Sequence, residues 1–404
     1  VSSALLVGLA CSQALADDAA RLNKLESEND LLRQRLDELE VLAKKEGLKP
    51  SGQAPVKALS SITVSGFVQA SYFYNTREPA DRKSDGYLWN ASHNAFSLNK
   101  VKLTLASGPV AKDKWDAGFR TSLMWGEDTP NLNTGSPNPG FEEIREAYVE
   151  LNAPIGTGLD IRAGQMISLL NYESGDGGAA NANFSQGFQW WFTGNGPSSG
   201  VQLGYDFTDE VGLKVRVQNG MFAGPLDSND GKALLASLGL KPTDKMWVNL
   251  IGWYSQENAA FDVMGASSIG GYKFTDKFGT GWELDYFHFD NTVGTDVDLY
   301  SAGAWLSYQL APKAGLAFRA DYVDQSDGVL GPAVRPGAGI FSPDADGNIG
   351  SLTLTLNYKP VPSLKIQPEV RYDYTSYSGV GGASGAFDGK KDRVIIGVGA
   401  TYSF

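Results

Sequence analysis

The chain of 404 residues carries 34 Lys and Arg against 46 Asp and Glu, a net charge of −12, and has no basic stripe to neutralise phosphates, which speaks against nucleic acid as a partner. Its one cysteine, Cys11, falls in an N-terminal apolar stretch, and no apolar run reaches the roughly 18 residues of a spanning helix, so disulfides, thiolate metal sites and helical spans are excluded. Turn formers and interfacial aromatics are abundant, with 48 Gly, 17 Tyr, 19 Phe and 9 Trp. The mean hydropathy of −0.23 is what a wall gives when only alternate residues meet lipid.

Residues 1–16 read as the end of a secretory signal: the apolar stretch from Ala4 to Ala10 precedes Ala14-Leu15-Ala16, a small-x-small cleavage pattern, while the charged start of such a signal is missing. Gly8-Leu9-Ala10-Cys11 lacks the leucine or valine expected three residues before a lipid-bearing cysteine. Residues 17–48 then change to a helical period. Leu22, Leu25, Asn29, Leu32, Leu36 and Leu39 alternate three and four apart, a narrow a/d seam with charged flanks that predicts a coiled coil joining copies of the chain. A lone helix of this length is marginal in water. Gly47, Pro50, Gly52 and Pro55 stop the helix and make residues 49–60 a spacer.

Over residues 61–404 alternating segments are separated by turns of two unequal kinds. Short turns fall at 108–114, 154–158, 208–210, 242–245, 275–277, 311–313 and 359–363, and between them lie long Gly/Asp/Asn/Ser-rich loops such as 126–142, 169–198, 326–348 and 378–391. Short turns on one side and long loops on the other mark an outer-membrane barrel, and seven short turns with both termini on their side give about sixteen strands. The predicted fold is therefore an all-β transmembrane antiparallel β-barrel of about sixteen strands in the bacterial outer membrane, preceded by an α-helical coiled coil in the periplasm.

The two faces can be read strand by strand. Val201, Leu203, Tyr205 and Phe207 point to lipid and Gln202, Gly204 and Asp206 to the lumen; Leu364, Ile366, Val370, Tyr372 and Tyr374 point out while Lys365, Gln367, Glu369, Arg371 and Asp373 point in. The last strand alternates in the same way, through Ile396, Val398, Ala400 and Tyr402 to Phe404. Such an end is an edge that invites aggregation unless it pairs with the first strand.

Inward parity makes Arg120, Glu146, Glu150, Asp160, Arg162, Lys214, Arg216, Arg319, Asp321, Glu369 and Arg371 candidate pore-lining residues. Isolated buried ions cost many kcal/mol, so this face calls for a water-filled lumen. Two readings of the set stay open: basic and acidic walls that set up a transverse field, or cross-strand ion pairs that tile the wall. Loop 169–198, the third outer loop, carries Tyr172, Glu173, Asp176, Asn183 and Phe184, a mixture suited to wall and water at once. It is predicted to fold inward as a constriction; a surface loop or irregular strand is the other reading.

Three stretches carry a resemblance: Glu146-Ala147-Tyr148-Val149-Glu150-Leu151-Asn152-Ala153-Pro154, Gly158-Leu159-Asp160-Ile161-Arg162-Ala163-Gly164-Gln165 and Asn181-Ala182-Asn183-Phe184-Ser185. In them the chain resembles the OmpL-like β-barrel porins, the second porin family of that kind, over roughly residues 61–404 and without the coil. The resemblance implies an outer-membrane porin through which small hydrophilic solutes and ions diffuse passively, and it supplies a class of solute and no particular ligand. By analogy with porins that carry periplasmic coils it favours a homotrimer, whereas Asn29 at an a position leans towards a dimer. The ending Gly399, Tyr402, Phe404 resembles the signal read by the barrel-assembly machinery, which joins outer-membrane lipid and further copies of the chain as a predicted partner. The alternative is a structural or adhesive barrel whose long loops bind an outside partner.

No cofactor, metal or catalytic site is predicted. His93 and His288 are the only histidines and neither can be set beside a particular serine from sequence. Asp344-Ala345-Asp346-Gly347-Asn348 opens like a calcium loop but lacks the closing glutamate, and reads as a surface turn.

Overall fold

The computed structural model describes residues 62–84, 87, 89–129, 142–222, 227, 229–257, 261–291, 296–325, 347–376, 387 and 390–404, with Lys24, Asp30 and Arg35 singly. The coil positions Leu22, Leu25, Asn29, Leu32, Leu36 and Leu39, the signal and the spacer lie outside the described residues, as do most of loops 126–142, 326–348 and 378–391.

Among the described residues sixteen strands follow one another: β1 Ile62–Asn75, β2 Ala95–Ser107, β3 Asp116–Trp125, β4 Ile144–Ala153, β5 Leu159–Met166, β6 Ser198–Asp206, β7 Val211–Gln218 and β8 Ala233–Thr243. The second half comprises β9 Met246–Gln256, β10 Phe261–Lys273, β11 Phe278–Asn291, β12 Val297–Ala311, β13 Ala314–Gln325, β14 Gly347–Val361, β15 Leu364–Thr375 and β16 Asp392–Ser403. Each pairs antiparallel with its sequence neighbours and β1 closes on β16, so the predicted barrel of about sixteen strands is the observed one. All seven short turns join the strands they were predicted to join.

Closure removes the edge that an alternating C-terminal strand would otherwise leave. β1 and β16 pair from Phe67 opposite Ser403 to Asn75 opposite Ile395, and Gly66 and Phe404 exchange backbone hydrogen bonds of 2.9 and 3.0 Å. The outward rows are apolar and exposed, as read: Val201, Leu203, Phe207, Val370, Tyr372, Ile396, Val398, Tyr402 and Phe404 all belong to them.

The inward face departs from the sequence reading. Towards the long-loop ends of β8–β16 it is apolar, with Leu235, Ile251, Trp253, Val263, Phe287, Phe289, Val297, Leu299, Val323, Ile349 and Ile395 all buried. Here the barrel interior is a packed core, because chain from the loops supplies apolar cover: Leu170, Phe184, Phe188, Phe192, Met221, Tyr87 and Phe387 belong to the same buried cluster.

Candidate functional site

The connection between β5 and β6 is that cover's main source. It holds a 3-10 turn, Gly177–Ala179, and one short helix, α1 Phe188–Thr193, and its polar groups are satisfied by the barrel wall. A loop taken into a barrel must find partners for its backbone groups, and the inward carboxylates provide them. Glu283 on β11 accepts from the Tyr172 backbone N–H at 2.8 Å. Glu369 on β15 accepts from the N–H groups of Phe184 and Ser185 at 2.7 and 3.2 Å. Asp321 on β13 accepts from Phe188 N–H at 2.7 Å, at the start of α1 where free N–H groups favour an anion.

The arginines bind the other side of the same segment. Arg319 donates from Nη1 to Glu173 at 2.8 Å and to the Ser185 carbonyl, from Nε to Asp321 at 3.2 Å and from Nη2 to Thr353 at 2.9 Å. Arg371 donates to Asp373 at 2.6 Å and to the Gln186 carbonyl, and Arg393 donates to the other Asp373 oxygen at 2.7 Å. Tyr87 lies over both guanidinium groups, 4.4 Å from Arg371 and 4.7 Å from Arg393, and its hydroxyl donates to Asp373 at 2.9 Å. Buried ions are tolerable because each guanidinium has a carboxylate, to which Arg319 and Arg371 add further polar partners and Arg393 the ring faces of Tyr87 and Phe387. Asp176 meets Lys102 at 2.7 Å and Asn183 donates to Thr355 at 2.7 Å, so all five predicted loop positions, Tyr172, Glu173, Asp176, Asn183 and Phe184, touch the inner wall.

The eleven predicted lining positions share the inner face but divide into two groups. Glu146, Arg216, Arg319, Asp321, Glu369 and Arg371 are buried and do not border open water. For the four on β13 and β15 the physical reason is the segment itself, which covers the wall from β11 to β16 and is tied to β2, whereas Glu146 accepts from Ser122 at 2.8 Å and Arg120 at 2.6 Å. Arg216 is held by Gln202 at 2.7 Å and by the Ile167 carbonyl at 2.8 Å, where the segment begins. Across the interior the other predicted charges of β3–β7 stay partly wet. Arg120 is 40% exposed and pairs with Glu146 at 2.6 Å; Arg162 is 34% exposed and pairs with Glu150 and Asp160, each at 3.0 Å. Lys214 is exposed beside them.

Sequence reasoning missed several contributors. Tyr87 and Trp89, from the β1–β2 connection, enter the barrel, where Trp89 packs on Trp190 at 3.9 Å and on Trp191 at 4.6 Å. Arg145 is buried beside Glu146 because a bulge shifts the register there, Ser122 facing Glu146 while Leu123 faces Ile144. Strict alternation from Glu146 would point Arg145 outward, and nothing in the local pattern announces the bulge. His93 accepts the Asn75 N–H on Nδ1 at 2.9 Å, and His288 meets Asp298 at 2.8 Å.

Residues 61–404 match the family model described as "putative beta-barrel porin-2, OmpL-like". Among solved structures, the anion-selective porin from Comamonas acidovorans is 14% identical with a TM-score of 0.57, the alignment covering 85% of this chain and 99% of that one. OmpT of Vibrio cholerae is 12% identical at 0.54, covering 85% and 97%, and the outer-membrane channel DcaP of Acinetobacter baumannii is 15% identical at 0.53, also covering 85% and 97%. A trimer form of OmpT has the same fold, with a TM-score of 0.53. No curated protein matches the sequence. A sixteen-stranded barrel with a segment folded into it, matched over its whole length by one family model, places this chain in the OmpL-like β-barrel porin-2 family, as an outer-membrane porin.

Proposed function

We propose that the chain passes small hydrophilic solutes and ions by passive diffusion, and that the inserted segment sets the size limit. The observation that carries this reading is the asymmetry of the interior: buried, paired charges where the segment meets β11–β16, and partly exposed Arg120, Glu150, Asp160 and Arg162 on the wall of β3–β5. Solutes then travel along the β3–β5 wall, whose charges tune ion preference. No step of bond making is part of this reading, so the protein is proposed to be a channel and not a catalyst.

The assembly is proposed to be a homo-oligomer, a trimer in first place, held by the lipid-facing barrel wall and the coil of residues 17–48 in the periplasm. Its C-terminal strand is proposed to engage the barrel-assembly machinery. Deleting residues 175–182 tests the size limit: single-channel conductance should rise, and an unchanged conductance would reject the constriction. The apolar outer half of the interior favours a second reading, a plugged barrel that binds a partner through its long loops. Silence of the intact protein in planar bilayers selects that reading.

A further inference from the structure

On the short-turn side of the inserted segment the interior has a chemistry of its own. Tyr172 stacks on Trp305 at 4.4 Å with an interplanar angle of 26°, and lies parallel to Trp247 at 6.2 Å and 6°. Trp305 is buried and donates from Nε1 to Glu173 at 3.2 Å. Trp247 shares the inner face of β9 with Ile251 and Trp253, yet 38% of its surface is exposed. An indole left open to water inside a barrel offers an unused apolar ring surface.

The stack is built into the wall. Gly271 is the register partner of Trp247 on β10, and a Cβ there would lie 2.6 Å from the indole Nε1; a Cβ on Gly281 would lie 2.2 Å from Cζ of Tyr172. Larger residues at either position would displace a ring.

A cavity of about 920 Å³ runs along Trp247 and Tyr172, and another of about 420 Å³ adjoins it, with Lys273 and Ser307 lining both. Lys273, Lys277, Lys359 and Lys365 line the smaller one, against a single carboxylate, Asp276, which is bound to Lys273 at 2.8 Å. Lys365 donates to the Asn181 carbonyl at 3.1 Å, and an ammonium has three protons to give. The smaller cavity is therefore basic, whereas the larger one sets Lys241, Lys245 and Lys273 against Asp209, Glu210 and Asp244.

We propose that this vestibule binds organic anions that carry a planar ring, aromatic carboxylates above all, with the ring on Trp247 and the carboxylate towards Lys273, which lines both cavities and lies two residues along β10 from Gly271, the register partner of Trp247. Stacking selects the ring and Lys273 selects the charge. Acetate lacks the first feature and benzamide the second, so each should bind more weakly than benzoate. The inference deepens the channel reading by naming a solute class, and it rests on that reading only for the solute's passage.

The test is isothermal titration calorimetry of the detergent-solubilised full chain with benzoate, acetate and benzamide. Benzoate should bind about tenfold or more tightly than either control, and Trp247→Ala and Lys273→Gln should each lose about tenfold of that affinity. Benzoate binding no tighter than acetate or benzamide, or unaffected by Trp247→Ala, overturns the site. Conductance in potassium chloride reads the channel separately: an open pore without ring preference overturns the vestibule alone, whereas benzoate binding to a silent barrel upholds the vestibule and overturns the pore.

Discussion

Arg319 and Glu173 are 146 residues apart in the chain and meet at 2.8 Å inside the barrel, their side chains 0% and 2% exposed. This pair fastens the inserted segment to β13, and Arg319 bonds Asp321 as well. Removing one member of a buried ion pair leaves an uncompensated charge and typically costs about 3–5 kcal/mol. Arg319→Met should therefore lower the temperature at which the folded band is lost on unboiled gels, and should enlarge and destabilise single-channel currents. Arg319→Met/Glu173→Gln should recover part of the loss, because one of the two stranded carboxylates is then neutral. Equal defects in the single and double variants would count against the pair as the fastening.

Charge preference separates the wet wall from the sealed one. A unit charge acts on an ion 4 Å away with roughly 1 kcal/mol in water, a factor of about five, and Arg162→Glu changes the charge by two units, so it should move the anion-to-cation permeability ratio by more than about fivefold towards cations. The reversal potential in a salt gradient measures this. Arg371→Met, by contrast, removes a guanidinium enclosed by Tyr87, Phe188 and Asp373. It should lower stability and leave ion preference where it was. A selectivity change in Arg371→Met as large as that in Arg162→Glu would show that both walls face the permeating ions.

The strand count, the seven short turns and the lipid-facing rows were legible because a membrane barrel repeats one local rule, alternation closed by turn formers. That rule also put Arg319, Asp321, Glu369 and Arg371 on the inner face. It could not show that these residues are dry, since their burial depends on Ser185, Gln186 and Phe188, which lie more than a hundred residues away and become neighbours only when the segment folds inward. For the same reason nothing local marks Phe287 and Phe289 as packed core. Tyr87 sits in a turn-rich stretch with no periodic signal, and its role depends on Asp373, a partner 286 residues away.

Acid should loosen the β1–β2 connection through His93. Its Nδ1 accepts the Asn75 N–H at 2.9 Å, which requires the neutral ring. Burial pushes its pKa below the ordinary 6.5, opposed by the nearby Glu78 and reinforced by Arg82. With the folded value below the unfolded one, the ring's contribution to stability is fully present above pH 6.5 and is lost as pH falls through the lower, folded-state value. The connection also carries Tyr87 and Trp89 into the barrel, so acid should raise current noise in bilayers. His93→Gln keeps an uncharged acceptor and should remove that response. An acid response unchanged in this variant would assign it to carboxylates instead.

Barrel closure is sensitive to substitution at Gly66. This residue exchanges backbone hydrogen bonds with Phe404 at 2.9 and 3.0 Å, and a Cβ placed on it would lie 2.2 Å from the Lys102 carbonyl oxygen and 2.7 Å from Phe404 Cζ. The ring can rotate away, but the carbonyl belongs to the β1–β2 ladder and cannot move without breaking it. Overpacking of this kind ordinarily costs about 1–3 kcal/mol, and here it falls on the seam where the last strand joins the first. Gly66→Val should reduce the yield of compact, heat-modifiable barrel in refolding from urea, while Phe404→Ala alone should still close. Gly66→Val/Phe404→Ala should be as defective as Gly66→Val, because the carbonyl clash persists; full recovery in the double variant would place the obstruction at the aromatic ring instead of the backbone.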